Sequence, residues 1–472
     1  MPHTDNSFAR LPERFFARAA PAPVAAPRLL ALNLPLAHGL GLDADWLQGP
    51  EGVAMLAGNA FPGWATPVAQ AYAGHQFGGW VPQLGDGRAV LLAEFVPPGG
   101  GRFDLALKGS GRTPYSRGGD GRAWLGPVLR EYLVSEAMTA LGVPSTRALA
   151  AVSTGETVWR EQGPLPGAVL ARIAASHIRV GTFEYFAARG DNEALSLLAE
   201  HAVARHYPQA KGPLGLLAAV VAAQARLIAA WMSFGFVHGV MNTDNMAVSG
   251  ETIDYGPCAF LDAYHPGKVF SSIDRQGRYA FGAQPDMALW NLAQLASALL
   301  PLLGPRPAAI EAATAVLNGF HPAFETAWLA RFAAKIGIAA PRPDDRALVE
   351  TLLSRMAGLG ADFTRVFRGL GDDTAPDEFT DRSAFDTWAV DWRARLSQEP
   401  DPQGVMRAAN PARIARNHRV EQAIEAAVEG DLAPFRRLAD ALSVPFETRP
   451  EWSDLSDAPG PGEAVARTFC GT

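Results

Sequence analysis

Residues 238–256 read HGVMNTDNMAVSGETIDYG and hold the polar side chains around which the rest of the chain is arranged. Asp244 and Asn245 are adjacent, and Asp254 follows after a short turn. Proteins hold Mg²⁺ with a few carboxylate or amide oxygens, and substrate phosphates complete its coordination shell. An amide and a carboxylate from two neighbouring loops can supply such oxygens side by side. We therefore interpret Asn245 and Asp254 as ligands of Mg²⁺.

Protein kinases hold their metal ions in this way, with a catalytic-loop Asn and the Asp of the DFG element that follows. In the kinase signature the catalytic Asp lies five residues before that Asn. Val240 occupies this position here, and a valine cannot accept a proton. The spare carboxylate is Asp244, directly beside the metal-binding Asn. A solvated surface loop is the alternative, because turns favour Asp and Asn in any case.

Composition predicts a globular protein with two or three lobes, since the chain has 472 residues and is 48% hydrophobic. The formal net charge is −7 and no long basic run occurs, so we expect no nucleic-acid partner. Two cysteines, Cys258 and Cys470, exclude a disulfide framework and a thiolate zinc site, and fit a reducing bacterial cytoplasm. The most apolar run, 215–232, contains Gln224 and Arg226, and a charge there is costly in lipid. We expect a buried helix and no membrane partner.

A GDG sequence lies between two predicted strands, 80–84 and 88–95, where it predicts a hairpin turn. A tight turn alone would account for the glycines, because glycine tolerates positive φ. Glycines also let backbone N–H groups approach phosphates, and an arginine follows directly. Gly85, Gly87 and Arg88 are therefore candidate nucleotide contacts.

Lys108 ends a third predicted strand, 103–108, in a chain that has few lysines and many arginines. A lysine at such a place suggests a need for a compact ammonium group. A Gly- and Arg-rich loop follows and leads to a predicted helix, 123–141, with Glu131 near its middle. Kinases use a strand lysine paired with a helix glutamate to hold the nucleotide phosphates. We expect a Lys108–Glu131 pair, with a solvated Glu131 as the alternative.

Two arginines, Arg172 and Arg179, bracket the end of the predicted sheet. They could be surface charges, but two arginines at a junction between lobes could also clamp phosphates. Two short strands, 147–152 and 157–160, are predicted before them, on either side of a turn.

The chain becomes helical after residue 181, and a sheet portion followed by a helical portion is the order of elements in protein kinases. We expect an α+β, protein-kinase-like bilobal fold. The predicted parts are an N-terminal extension that wraps the N-lobe (1–60), the N-lobe (61–180), a helical C-lobe carrying the metal and catalytic loop (181–402), and a C-terminal helical extension with a tail (403–472).

The sequence resembles the selenoprotein O family, the pseudokinase-like protein adenylyltransferases, over nearly its whole length. The matching segments are NSFARLPERFF, YAGHQFGGWVPQLGDGRA, LKGSGRTPYSRGGDGRA, LREYLVSEAM, HGVMNTDNM and DYGP. The resemblance implies a kinase-like fold that binds ATP inverted relative to a kinase. It implies transfer of AMP to Ser, Thr or Tyr hydroxyls of protein substrates and release of pyrophosphate. Transfer of UMP from UTP with Mn²⁺ is also attributed to bacterial relatives.

The resemblance also implies residue roles: Asn245 and Asp254 hold the metal, and Asp244 is the proton acceptor. The implied nucleotide contacts are Gly85, Gly87, Arg88, Lys108, Asp120, Gly121, Arg172 and Arg179, with Lys108 positioned by Glu131. ATP is the implied co-substrate, and we expect a monomer. Bacterial relatives can pair the C-terminal cysteine with a cysteine downstream of DYGP. Here Cys258 lies at the edge of that motif, and whether it pairs with Cys470 stays open.

Two other functions compete with this one. The sequence HG followed by Asn resembles the HGDxxxxN loop of aminoglycoside kinases, which predicts a small-molecule phosphotransferase, although Val240 replaces the Asp. A catalytically silent pseudokinase acting as a scaffold is the other alternative. A scaffold has no evident need for Lys108, Glu131, Asn245 and Asp254 together, which argues against it.

Overall fold

The computed structural model describes residues 3–469, with an antiparallel sheet in the N-terminal part and mainly helices in the C-terminal part. The strands are β1 Phe16–Arg18, β2 Arg28–Leu32, β3 Val68–Gln70, β4 Gly74–Gln76, β5 Gly79–Val81, β6 Ala89–Phe95, β7 Phe103–Lys108, β8 Ala123–Trp124, β9 Arg147–Arg160, β10 Gly163–Ala174, β11 Phe236–Val237 and β12 Ala259–Phe260. The α-helices are α1 Leu34–Gly39, α2 Ala44–Gln48, α3 Pro50–Ala57, α4 Leu125–Ala140, α5 Val180–Ala187, α6 Asn192–His206, α7 Gly212–Ser233, α8 Gln284–Leu299, α9 Arg306–Leu317, α10 Phe320–Lys335, α11 Asp345–Leu359, α12 Phe363–Gly369, α13 Arg382–Leu396, α14 Pro402–Ala409, α15 Asn417–Val428 and α16 Ala433–Ser443.

The main sheet has the strand order β1-β3-β6-β7-β10-β9-β2, and β8 pairs with β10. Successive side chains of a strand point to opposite faces. Leu170 accordingly packs into a core shared with α4, whereas Val169 and Ala171 pack into a second core under α2 and α3. Because both faces are covered, every residue of β6 is buried. Lys108 is in register with Leu170 on β10, and Ala106 with Arg172, so Lys108 and Arg172 project from neighbouring strands.

The N-terminal segment contributes directly to the sheet. β1 pairs with β3 and β2 pairs with β9, so residues 1–60 supply two strands as well as the helices that cover one face. The predicted boundary at residue 60 stays a prediction.

The prediction of a hairpin turn at GDG is wrong. β5 pairs with β4 in a separate two-stranded sheet, whereas β6 pairs with β3 and β7. Gly85 and Gly87 therefore connect two sheets. The connection folds against the Gly/Arg-rich loop so closely that a Cβ on Gly85 would lie 2.4 Å from the ring of Tyr115, and one on Gly87 would lie 2.8 Å from its carbonyl oxygen. These glycines are therefore required by close packing against that loop, and not by a hairpin turn.

Strands 147–152 and 157–160, predicted separately, form one long strand, β9. Gly155 takes a φ of +70° within it, and the register with β10 shifts between Pro166 and Ala168. The residues that predict a turn thus produce an irregularity in a continuous strand, because a glycine at positive φ can form a bulge without ending the pairing.

Helix α7 is long and apolar enough by composition to cross a membrane, and it is the one such helix in the described part of the chain. In the fold 61% of its apolar window is buried, and it packs against α10, α8 and α6. Gln224, near its middle, is buried and donates to the Ala247 carbonyl at 2.8 Å. The predicted core helix is confirmed.

Candidate functional site

A cavity of about 540 Å³ lies between the main sheet and the 238–256 loop. The residues that the sequence assigned to nucleotide, metal or catalysis share this cavity, apart from Glu131, which lies behind Lys108. The residues that line it include Gly85, Gly87, Arg88, Lys108, Asp120, Gly121, Arg172, Arg179, Asp244, Asn245 and Asp254.

Lys108 forms the predicted pair with the helix glutamate. Its Nζ lies 2.6 Å from Glu131 Oε2 and 2.7 Å from Asp254 Oδ1. Glu131 is buried on α4, so the alternative of a solvated face residue is excluded. Register places the lysine at the end of β7, and α4 runs across the sheet with Glu131 turned towards it. The ammonium therefore joins the sheet, α4 and the metal loop at one point.

Asp254 receives two further cations. Arg172 Nη1 lies 2.7 Å from its Oδ1, and Arg179 Nη2 lies 3.3 Å from its Oδ2. Both arginines are buried, which excludes the surface-charge interpretation. Burial alone would raise the pKa of Asp254, but Lys108 and the two guanidinium groups outweigh it and hold that pKa well below 3.8. The carboxylate is therefore ionised.

The backbone of Asp254 is strained, because its φ of +65° lies in the left-handed region that favours glycine. Such conformations persist where the surrounding structure imposes them, and they cluster at functional sites. Here the conformation accompanies the three cations that hold the carboxylate.

The 238–256 loop contains a single turn of 3₁₀ helix, Thr243–Asn245. Asp244 Oδ2 accepts a hydrogen bond from Gln76 Nε2 at 3.1 Å, whereas Oδ1 is buried and has no partner among the described residues. Burial raises the pKa of Asp244 to about 6, although the Gln76 bond opposes this shift. Asn245 Nδ2 donates to the Val240 carbonyl at 3.0 Å.

The donor set fits a magnesium-type ion. Since the amide nitrogen of Asn245 is bonded to the loop, its oxygen is the atom that can face a cation. Asp244 and the ionised Asp254 line the same cavity. Among residues 3–469 no cluster of three His, Cys, Asp or Glu side chains could hold a metal. A site completed by substrate phosphates needs only one or two protein carboxylates.

The rim of the cavity is built from the Gly/Arg-rich loop. Asp120 pairs with Arg160 at 2.9 Å and accepts from the Arg122 backbone N–H. Gly121 has a φ of +68°, and a Cβ there would lie 2.1 Å from the Gly111 carbonyl oxygen, so a side chain is excluded. This loop can therefore bring backbone close to a ligand.

Comparison with known proteins identifies the relatives of this chain. A family model described as "Protein adenylyltransferase SelO" matches residues 3–443. The chain belongs to the SelO family. It is 60% identical over 468 residues to the protein nucleotidyltransferase YdiU of Ruegeria pomeroyi, covering 99% of this chain and 98% of the relative. It is 58% identical over 480 residues to the protein of that name from Jannaschia sp., with 99% and 98% covered. For Rhodopseudomonas palustris the identity is 58% over 486 residues, with 99% of each chain covered.

Sequence reasoning missed several residues of this SelO-family site. Gln76 contacts Asp244, and Tyr72 lies beneath Arg179 with its ring centroid 4.5 Å from the guanidinium carbon. Asn242 accepts from the Tyr279 hydroxyl at 2.6 Å and lines the cavity. Tyr72 and Gln76 belong to the YAGHQFGGW segment. This segment is long enough to indicate the family, but its residue types do not by themselves indicate a chemical role.

The cysteine question stays open in this SelO-family chain. Cys258 is buried, and burial raises the pKa of its thiol to about 12. Cys470 lies outside the described residues. The last described segment does reach this region, because the Thr468 hydroxyl donates to the Pro257 carbonyl.

Proposed function

We propose that this SelO-family protein transfers AMP from ATP to Ser, Thr or Tyr hydroxyls of protein substrates and releases pyrophosphate. One observation carries the proposal. Three cations, of which Arg172 and Arg179 are buried, converge on Asp254 in a cavity that also holds Asp244, while an apolar residue, Val240, occupies the position of the kinase base. The cations can bind phosphates, and Asn245 and Asp254 can bind a metal ion. The carboxylate that could accept a proton, Asp244, lies at a different position in the sequence from the kinase base.

The cations account for phosphate binding. Guanidinium and ammonium groups form short, charge-assisted hydrogen bonds to phosphate oxygens. Lys108, Arg172 and Arg179 are already held by carboxylates, and the two arginines are buried, so these side chains need little further ordering when a nucleotide binds. The glycines at 85, 87 and 121 keep backbone close to the cavity. Asn245 and Asp254 would hold Mg²⁺ or Mn²⁺, which supplies further neutralisation of phosphate charge.

The chemistry is a displacement at the α-phosphorus. The hydroxyl oxygen of the acceptor forms a bond to that phosphorus, and the bond from phosphorus to the oxygen bridging to the β-phosphate breaks. Pyrophosphate leaves with the electron pair, and Asp244 takes the proton of the hydroxyl. This assignment requires the kinase-like arrangement of two lobes with the nucleotide inverted, so that the α-phosphorus faces Asp244.

Labelled nucleotide tests the proposal. The protein is incubated with Mg²⁺ or Mn²⁺, a bacterial protein extract and ATP labelled on the α- or the γ-phosphate. We expect label in protein from the α position only, and UTP labelled on the α-phosphate tests UMP transfer in the same assay. Transfer of γ label to a small molecule would instead support a phosphotransferase, and no transfer would support a scaffold. Asp244→Ala should abolish α transfer and leave nucleotide binding intact.

We further propose that the protein is a monomer of the bacterial cytoplasm. Its acidic charge and its two cysteines fit a reducing compartment without nucleic-acid partners. Light scattering during size-exclusion chromatography should give a mass near 50.1 kDa, and twice that value would contradict the monomer.

A further inference from the structure

The β4–β5 hairpin contacts the catalytic loop through three consecutive residues. The His75 backbone N–H donates to Thr243 Oγ1 at 2.7 Å, and Gln76 Nε2 donates to Asp244 Oδ2 at 3.1 Å. The Phe77 backbone N–H donates to Asn242 Oδ1 at 2.9 Å. Residues 75–77 thus bind residues 242–244 one by one, and the hairpin forms a wall of the cavity beside the catalytic loop.

Gly74 allows this close approach. A Cβ at this position would lie 2.9 Å from Asp244 Oδ1 and 3.1 Å from Asp244 Cβ. The strand backbone therefore packs directly against the carboxylate, with no side chain between them. From this wall, the Gln76 side chain reaches into the same cavity that Asp244 lines.

Of the three contacts, only the one to Asp244 uses a side chain of the hairpin as donor. The other two use backbone N–H groups, which a substitution leaves in place. The torsion that rotates a carboxylate about its last bond is broad and roughly two-fold. A donor on one oxygen therefore fixes the direction of the other. In this site Gln76 holds Oδ2, while Oδ1 is buried against Gly74 and has no hydrogen-bond partner among residues 3–469, so the Gln76 bond is the one that sets the rotation of the carboxylate.

We infer that Gln76 is a positioning residue for AMP transfer, which holds the Asp244 carboxylate through Oδ2 in the orientation that takes the proton of the acceptor hydroxyl. The inference rests on the proposed function. Gln76 contacts the carboxylate and acts through it. Loss of the donor therefore slows the chemical step, while Lys108, Arg172 and Arg179 continue to bind phosphates.

The test compares Gln76→Met with the unmodified protein. Methionine has nearly the length of glutamine but no N–H to donate. We expect kcat for α-labelled transfer to fall about 10–100-fold, because misorientation of a catalytic group costs rates of this order. The Kd for ATP with Mg²⁺ and the melting temperature should stay unchanged. Gln83→Met, an exposed glutamine that follows the same hairpin, is the matched control and should keep the full rate.

A second variant separates positioning from space filling. Gln76→Glu has the same shape but places a carboxylate against that of Asp244, so its kcat should lie below that of the Met variant. If the Met variant does not fold, Gln76→Ala with Gln83→Ala as control gives the same comparison.

A Met variant with unchanged kcat would overturn the inference while the proposed function stands. A fall in ATP affinity as large as the fall in kcat would also overturn the inference, and so would a clear fall in melting temperature. Absence of transfer by the unmodified protein would remove the proposed function, and this inference with it.

Discussion

Lys335 is buried and Lys108 is half-buried, with 12% of its side chain exposed, and the surroundings of the two lysines are opposite. Lys108 lies at the cavity between two carboxylates, Glu131 and Asp254. Lys335 ends α10 in the helical part, with its Nζ over the rings of Phe234, Phe363 and Phe367 at 5.5, 5.5 and 4.6 Å. Within residues 3–469 it has no ion-pair partner. Burial of a charge therefore does not by itself indicate function; the difference lies in the anions and the open space beside it.

The energetic consequences also differ. An unpaired charge in an apolar surrounding is costly, and the group neutralises where it can. Burial, and to a smaller extent the nearby Arg331, lower the pKa of Lys335 to about 7. Lys108 instead forms ion pairs with two carboxylates. The helical lysine is thus a cost to stability at neutral pH, whereas the cavity lysine is a proposed phosphate ligand.

The largest expected effect comes from replacing each lysine by methionine. Lys108→Met should lower AMP transfer by about 10²–10³-fold, because it removes a preorganised cation from the phosphates. Lys335→Met is the matched control: it makes the same change outside the cavity, and its rate should equal that of the unmodified protein. The measurement is initial rate with α-labelled ATP. Equal losses in both variants would refute the contrast between the two lysines.

Stability against pH gives the second test. The pKa of Lys335 falls from 10.5 in the unfolded chain to about 7 in the fold, so between these values the unfolded state binds more protons. The free energy of unfolding contributed by this lysine should therefore rise with pH across that window, by about 1.4 kcal/mol per unit.

Urea unfolding at pH 7 and pH 9 measures this contribution. The unmodified protein should gain about 2–3 kcal/mol relative to Lys335→Met between the two pH values, since other titrating groups cancel in the comparison. At pH 7 the Met variant should be the more stable of the two. A parallel pH dependence of both proteins would show that Lys335 is not held in an apolar site.

The contrast between the lysines shows what the sequence could predict. The Lys108–Glu131 pair could be predicted from the sequence. The strand, the loop and the helix that carry it follow one another directly in the chain, in the same order as in kinases. Lys335 is as rare a residue in this chain as Lys108, but its aromatic surroundings are assembled from two distant segments, the end of α7 with Phe234 and helix α12 with Phe363 and Phe367. The choice between surface charge and phosphate clamp for Arg172 and Arg179 also depended on burial, which only the fold supplies.

The same limit applies to the catalytic loop. The adjacency of Asp244 and Asn245 is visible in the sequence, whereas Gln76 lies far away in the chain and meets Asp244 only because β4 packs against the loop. The GDG prediction was wrong for a related reason. Glycines at positive φ predict a turn, but close packing against a loop distant in sequence requires glycine as well.

Glu131→Gln tests the glutamate side of the Lys108 site and should have a smaller effect. In this variant Asp254 would still hold the lysine. Arg172, whose Nη1 lies 3.2 Å from Glu131 Oε1 in the unmodified protein, would still contact position 131. We expect about a tenfold loss of transfer, because the ammonium is less well oriented. Glu136→Gln is the matched control on the same helix: Glu136 pairs with Arg147 away from the cavity, and its loss should leave the rate unchanged. A full rate in the Glu131 variant would mean that Asp254 alone orients Lys108.

The smallest expected effect concerns the C-terminal helices, which pack against α4 and so lie behind Glu131. Arg130, next to Glu131, pairs with Glu421 on α15, and Tyr132 contacts the ring of Phe435 on α16 at 5.6 Å. Glu421→Gln should lower the free energy of unfolding by about 1 kcal/mol or less, because Glu421 is partly exposed. Transfer should change less than twofold, since the ring contact still holds α4. Glu425→Gln, exposed one turn further along α15, is the control for urea unfolding and rate. A tenfold loss of rate in the Glu421 variant alone would mean that the C-terminal helices set the position of Glu131, and the site would then extend well beyond its cavity.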